Sequence, residues 1–311
     1  MLNREKLEAA KVTFDARFQK ALALAQTDPF VAMLAEAFDM STPTIEFDWM
    51  GFVGAVKKWT GARKLEKLGG HNFTMKTAEW EDSIRCSRTD IRDDKLALYM
   101  SRVDMLALAF VQHQEELLVN ALLGGFLGAT DFGECYDAGH FFATNHPLDN
   151  GSTNSNLLNH TLDDSGALDA AILLLRQMKR DDGVPLGINP THLIVGPTNE
   201  ANGLNLLERQ YVDSGSNRDY HRLQLHVSPW IYAKTIPGPT GRSATGNEWF
   251  VADLSKPVRP LYKGTREPVW SDSVVTGDDA FSTGELKFGA AASYNVAYAF
   301  YQLITGSDAT T

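Results

Sequence analysis

Cysteine is scarce in this chain: Cys86 and Cys135 are the only two in 311 residues, far apart and without a CxxC pair. That excludes the dense disulfide framework of a small secreted domain, and a reducing cytoplasm suits the composition best. Long apolar runs are missing as well. No stretch approaches the roughly 18 uninterrupted apolar residues of a bilayer span, and the opening "MLNREKLEAAKVTFDARF" has no signal-type apolar core, so the chain is expected in aqueous solution with no membrane partner. Positive charge is in deficit, with 29 Lys and Arg against 39 Asp and Glu. A protein whose main task is to neutralise nucleic-acid phosphate needs the opposite balance. The GK[ST] ending of a phosphate loop does not follow "GPTNEANGLN", and the paired aspartates at 93–94, 163–164, 181–182 and 278–279 lack EF-hand spacing. Neither an internal repeat nor a low-complexity tract is present.

What is present is enough apolar material, 43% of the residues, for one large or two smaller domains. Residues 3–26 set Leu7, Phe14, Phe18, Leu22 and Ala25 at spacings of three and four, which predicts an amphipathic helix closed by "TDP". Its stripe needs a partner, and an arm packing on another subunit would supply one. Residues 45–92 mix aromatic and β-branched residues with glycines, which predicts long strands and a turn. Within them Lys57, Lys58, Arg63, Lys64 and Lys67, with Trp59 among them, stand against the single Glu66. Three readings stay open there: a solvated hairpin tip, a nucleic-acid contact, or a hairpin reaching an acidic neighbour.

Residues 93–124 form the clearest element. Asp93 or Asp94 is placed to cap a helix that Gly124 and Gly125 end, about 45 Å long at 1.5 Å per residue. Leu96, Met100, Val103, Ala107, Phe110, Gln114, Leu117, Ala121 and Phe126 trace one face, and His113, among glutamines and glutamates, reads as part of a solvated face. From 166 to 256 helices alternate with strands. "GALDAAILLLRQMKRDDG" predicts a helix ended by Gly183, "THLIVGP" a buried strand, Thr198 a cap for a second helix, and "LQLHVSPWIYA" and "NEWFVAD" further strands. Residues 256–274 and 284–306 then read as long strands, the second with Leu286, Phe288, Tyr294, Val296, Tyr298 and Phe300 on one parity.

The order of these elements is similar to the HK97 fold of tailed-phage major capsid proteins. More narrowly, "RTDIRDDKLALY" before the long helix and "CYDAGHFFATNHP" after it resemble the major head subunit family of Mu and Mu-like prophages. That family carries a segment of the type "YDG.PFF.TDHP" after the helix. Tyr136, Asp137, Phe141, Phe142, Thr144, His146 and Pro147 match it, while Ala138 and Gly139 replace a single glycine and Asn145 stands where Asp is usual.

The resemblance implies an α+β capsid fold: an N-terminal arm (1–44), an extended loop (45–92), a peripheral domain on a spine helix (93–160 and 257–300) and an axial α/β domain (161–256 and 301–311). It implies a non-enzymatic subunit that forms homo-hexamers and homo-pentamers of an icosahedral head, assembled in the host cytoplasm and retained in the virion. Partners would be portal, scaffold or protease and decoration proteins, with packaged double-stranded DNA touched only weakly and without specificity. No cofactor is implied. Phe14 and Phe18 of the arm, together with the basic residues Lys57, Lys58, Arg63, Lys64 and Lys67 and the aromatic Trp59, become inter-subunit contact candidates. Carboxylates of a neighbour's spine helix, Glu115 and Glu116, are their expected counterparts. An encapsulin-like nanocompartment shares the fold.

The segment "ECYDAGHFFATNHP" also raises an unrelated reading, a metal-dependent or thiol hydrolase built on Cys135, His140 and His146 with Asp137 nearby as an oxygen donor. A structural zinc site needs four donors and a catalytic one three plus water, and no second Cys or closely spaced His pair completes such a pattern. No nucleophile motif surrounds Cys135. The structural reading makes Asp137 and glycine a turn, Phe141 and Phe142 core or neighbour contacts, Pro147 the exit, and His140 and His146 pins to backbone or carboxylate.

Overall fold

The computed structural model describes residues 4–309 apart from 26–28, 48–60, 62–72, 94, 128–131, 164, 213–214, 237–240 and 275–284. Lys57, Lys58, Trp59, Arg63, Lys64 and Lys67 lie outside the described residues.

The N-terminal helix α1 (Arg4–Leu24) is followed by α2 (Pro29–Leu34) and strand β1 (Ala35–Asp39). The stripe of α1 is satisfied within its own chain, which corrects the expectation that another subunit must cover it. Ala10, Phe14 and Phe18 are buried, with Phe14 and Phe18 at 5.6 and 6.0 Å from the Phe288 ring. Arg17 donates to Asp104 of the spine helix at 2.5 Å, and Ser271 donates to Asp15 at 3.0 Å. The missing partner is a strand some 270 positions away in sequence, which local periodicity cannot reveal. Residues 35–39 are likewise no free arm, since β1 runs parallel to a long C-terminal strand, pairing Ala35 with Leu261 through Asp39 with Thr265.

Strand β2 (Thr44–Phe47) pairs with β3 (Phe73–Lys76), and β4 (Ala78–Ser87) leads into a short helix α3 (Arg88–Arg92), so helix begins earlier than the strand pattern of 45–92 suggests. The spine helix α4 runs Ala97–Gly124. Asp93 does not cap it: Leu96 occupies the N-cap with no side-chain bond, because residues 88–93 are consumed by α3 and its closing turn; Asp94 lies outside the described residues. After the spine come the short strands β5 (His146–Pro147), β6 (Thr153–Asn154) and β7 (Leu157–Leu158), then α5 (Ser165–Gln177). Helix α5 stops before the expected Gly183, which at φ +82° instead closes the turn Arg180–Gly183.

Strand β8 (His192–Val195) is buried at every position, as a central strand covered on both faces requires. A 3-10 turn (Pro197–Asn199) precedes α6 (Glu200–Leu207), whose N-cap is Asn199; the expected capping by Thr198 is absent because Thr198 lies inside that turn. The chain continues through β9 (Tyr211–Val212), β10 (Gly215–Ser216), β11 (Gln224–Val227), β12 (Ala233–Ile236), β13 (Arg242–Thr245) and β14 (Trp249–Ala252). Two long strands, β15 (Leu261–Val274) and β16 (Glu285–Tyr298), and a final β17 (Ile304–Ser307) complete it.

Two sheets organise the molecule. One has the order β1-β15-β16-β4 and the other β11-β8-β14-β17-β7. In β16 the even positions Phe288, Ala290, Ala292, Tyr294, Val296 and Tyr298 are all buried, the period-two pattern of a strand packed on a helix. The register of β15 against β16 shifts between Glu267 and Trp270, around Pro268, whose missing N–H cannot join the ladder.

Candidate functional site

The segment after the spine helix is tied down by a dense set of hydrogen bonds. Ala138 N–H donates to Cys135 O at 2.9 Å and Cys135 N–H to Gly139 O at 3.2 Å, while Asp137 Oδ1 accepts from Gly139 N–H at 3.2 Å. This turn holds Ala138 at φ +60°, a conformation that favours glycine, the residue the related segment carries. The turn delivers Asp137 Oδ2 to His146 Nδ1 at 2.5 Å, and His146 Nε2 meets Asn156 Oδ1 at 3.0 Å.

Asn156 is a buried hub. Its amide nitrogen donates to the carbonyls of Phe141, Tyr301 and Ile304 at 2.9, 3.3 and 3.2 Å, and its Oδ1 accepts from Ala143 N–H at 2.9 Å. Three carbonyls around one nitrogen settle which end of the amide faces His146. Both ring nitrogens therefore face acceptor oxygens, Asp137 Oδ2 and Asn156 Oδ1. The ring lies on Tyr301 at 3.6 Å and 9°. Burial opposes ionisation of Asp137, yet the hydrogen bond and charge of His146 prevail and hold its carboxyl below the usual carboxylate range.

Cys135, Asp137 and His146 offer three ligand atoms within 4.8 Å of one another, a convergence the sequence did not reveal. Their chemistry is that of a clasp. Burial, then the neighbouring Asp137 charge, pushes the Cys135 thiol up, and His146 has both nitrogens committed to protein acceptors. A metal taking one ring nitrogen of His146 would have to displace the hydrogen bond held there, and a thiol nucleophile would lack its base and its access to solvent.

The other members of the segment serve the same junction. Gln302 donates to Tyr136 Oη at 2.6 Å; His140 Nδ1 contacts Phe126 O at 3.0 Å; Pro147 is exposed and pairs with Thr153. Phe141 stacks on Tyr298 at 4.6 Å, whose hydroxyl donates to Ala121 O at 2.9 Å. Phe142 lies between Phe126 and Phe250 at 4.7 and 5.4 Å. Glycine is needed on both sides of it, because a Cβ on Gly125 or Gly306 would come within 2.9 Å of its ring.

A second tie reaches the spine from β13. Arg242 donates to Leu123 O at 2.9 Å and to Glu248 Oε1 at 3.0 Å and lies 4.5 Å from the Phe126 ring centre. The positive guanidinium thus caps the negative end of the helix. Glu248, wholly buried, also accepts from the N–H groups of Thr245 and Gly246 at 2.9 and 2.8 Å. No local pattern singled out Arg242 or Asn156, because Leu123, Tyr301 and Ile304 are distant from them in sequence.

Midway along α4 the solvated-face reading of His113 fails. Its Nδ1 is 2.7 Å from Tyr294 Oη and its ring 4.3 Å from Trp80, since β4 and β16 cover that side of the helix; burial lowers its pKa, with the Glu116 charge opposing. It lines an open pocket of about 310 Å³ with Trp80, Trp230, Glu81, Asp82 and Glu116 among its walls. Glu115 and Glu116 are not simply free for a neighbour: Ser228 donates to Glu115 at 3.3 Å, and Glu116 lies 3.6 Å from Lys234.

The spine helix and the two sheets joined at the clasp have the architecture of HK97-like phage capsid proteins. A chain of the bacteriophage JBD30 procapsid superposes over 98% of this chain and 76% of its own length, with TM-score 0.58 and 19% identity. The chain belongs to the Mu-like prophage major head subunit gpT family, whose model matches residues 7–167, 157–231 and 238–311. It is 28% identical over 167 residues to the Mu-like prophage FluMu major head subunit of Haemophilus influenzae, covering 53% of this chain and 52% of that one. To the major capsid protein of Escherichia phage Mu it is 26% identical over 115 residues, covering 37% and 36%. The aligned regions thus span about half and about a third of these curated relatives.

Proposed function

We propose that copies of this chain assemble through hexamers and pentamers into an icosahedral phage head around double-stranded DNA, as a non-enzymatic building block. The observation that carries this reading is the family match from residue 7 to residue 311, supported by a fold like that of a procapsid subunit. It also favours a virus head over an encapsulin-like cargo shell or a Cys/His hydrolase. Head-to-tail contacts close into rings when the rotation permits, and interfaces of about 2,000 Å² or more shared among neighbours make such a shell stable collectively.

In this reading residues 45–92 reach a neighbouring copy, with Lys57, Lys58, Trp59, Arg63, Lys64 and Lys67 as contact residues. The sheet containing β8 and β14 is the axial unit and the spine with β15 and β16 the peripheral one. Portal, scaffold or protease and decoration proteins would meet the finished shell, assembly would take place in the host cytoplasm, and the acidic chain would touch packaged DNA weakly. Size-exclusion chromatography with negative-stain microscopy of the purified chain tests this. Closed megadalton particles are expected, and a stable monomer or small oligomer under assembly conditions would overturn it.

A further inference from the structure

The pocket beside His113 combines aromatic walls with carboxylates. Trp80 from β4 and Trp230 from the loop before β12 supply aromatic walls, and Glu81, Asp82 and Glu116 supply carboxylates. Aromatic faces and carboxylates attract the same ligand, an organic cation, the first through the ring quadrupole and the second by direct charge. Glu116 already faces Lys234, whereas Glu81 and Asp82 are exposed and have no cationic partner among the described residues. Two further features favour a peptide over a small cation. The indole N–H of Trp230 is buried without an acceptor, which a backbone carbonyl would satisfy. Strand β4 also ends its sheet, and an edge strand is a template for an added extended segment.

We propose that this pocket receives Lys or Arg side chains of residues 57–67 from a second copy of the chain; the inference rests on the shell reading and specifies its contact. Charge complementarity selects the occupant. The chain is acidic overall at −10, yet this segment holds Lys57, Lys58, Arg63, Lys64 and Lys67 against Glu66. The second copy follows from the shell reading, in which residues 45–92 reach a neighbouring copy.

The test is a charge exchange in the full chain. Glu81→Lys with Asp82→Lys should leave the circular dichroism and melting temperature of the subunit unchanged, both side chains being exposed, while particle yield falls at least tenfold. Lys57→Glu with Lys58→Glu should lower it similarly, and combining the two sets should restore particles. In assembled wild-type background, Asp82→Cys with Lys58→Cys should give interchain multimers on a non-reducing gel; the native cysteines are buried. Wild-type yield from the Glu81→Lys/Asp82→Lys protein, no restoration on combination, or a disulfide closed within one chain would each overturn the docking. Should the unmodified chain form no particles, the shell reading itself fails and the docking falls with it. Normal particles from every variant sink the docking alone.

Discussion

The two halves of the spine helix differ in how completely they are enclosed. From Leu117 to Gly124 nearly every side is buried, with Leu117, Leu118, Val119, Ala121, Leu122, Leu123 and Gly124 all in the core. In the first half Leu98, Met105 and Leu108 stay 67%, 68% and 44% exposed, although α1 and the long sheet cover the opposite face. The C-terminal half is thus where both sheets are joined, through Phe142, Arg242 and the Asp137–His146 clasp. The N-terminal half is a surface element with an exposed apolar outer face. An uninterrupted helix can belong to a rigid junction at one end and to the surface at the other.

The contrast is broken most forcefully by removing its aromatic centre. Phe142→Ala should destabilise the unassembled subunit by about 3–5 kcal/mol, while Met105→Ala should stay within about 0.5 kcal/mol of wild type; urea unfolding followed by tryptophan fluorescence compares them. Equal losses would show that the halves are alike. Glu248→Leu leaves Arg242 buried and unpaired, which should cost about 3–5 kcal/mol, with much of it recovered in Arg242→Met/Glu248→Leu. Arg17→Ala, in an exposed pair on the other half, should leave the unfolding midpoint unchanged.

Acid sharpens the same contrast. Asp137 is held below its ordinary value of about 3.9, so its contribution is present above that pH and lost as pH falls through the lower folded value. Unfolding midpoints measured from pH 6 down to pH 2 should therefore fall less steeply in His146→Gln than in wild type. The smallest effect is expected at the turn: Ala138→Gly relieves φ +60° but loosens the unfolded chain, for a net gain of up to about 1 kcal/mol by thermal melting.

Much of this architecture was legible because its signals are local. The period-two burial of β16, the apolar run of β8 and the length of α4 follow from neighbours two to four positions apart. The segment from Tyr136 to Pro147 was legible as a motif, down to the glycine that Ala138 replaces. So was the pinning of His140 to backbone and His146 to a carboxylate; the Asn156 hub was not, since Asn156 is an unremarkable residue of "TNSNLLN" until Tyr301 and Ile304 close around it. The cover for Phe14 and Phe18 was misassigned to another subunit for the same reason, Phe288 being remote in sequence. The role of His113 was misjudged because its flanking glutamines and glutamates say nothing about Trp80 and Tyr294.

The sequence by itself determined the kind of elements, their order and the family, because hydrophobic period, turn residues and a fourteen-residue motif are properties of neighbouring positions. Only the tertiary structure decided which polar groups are silenced and which are left waiting. Burial, charge pairing and hydrogen-bond geometry depend on contacts between segments hundreds of residues apart, and those contacts exist only once the chain has folded.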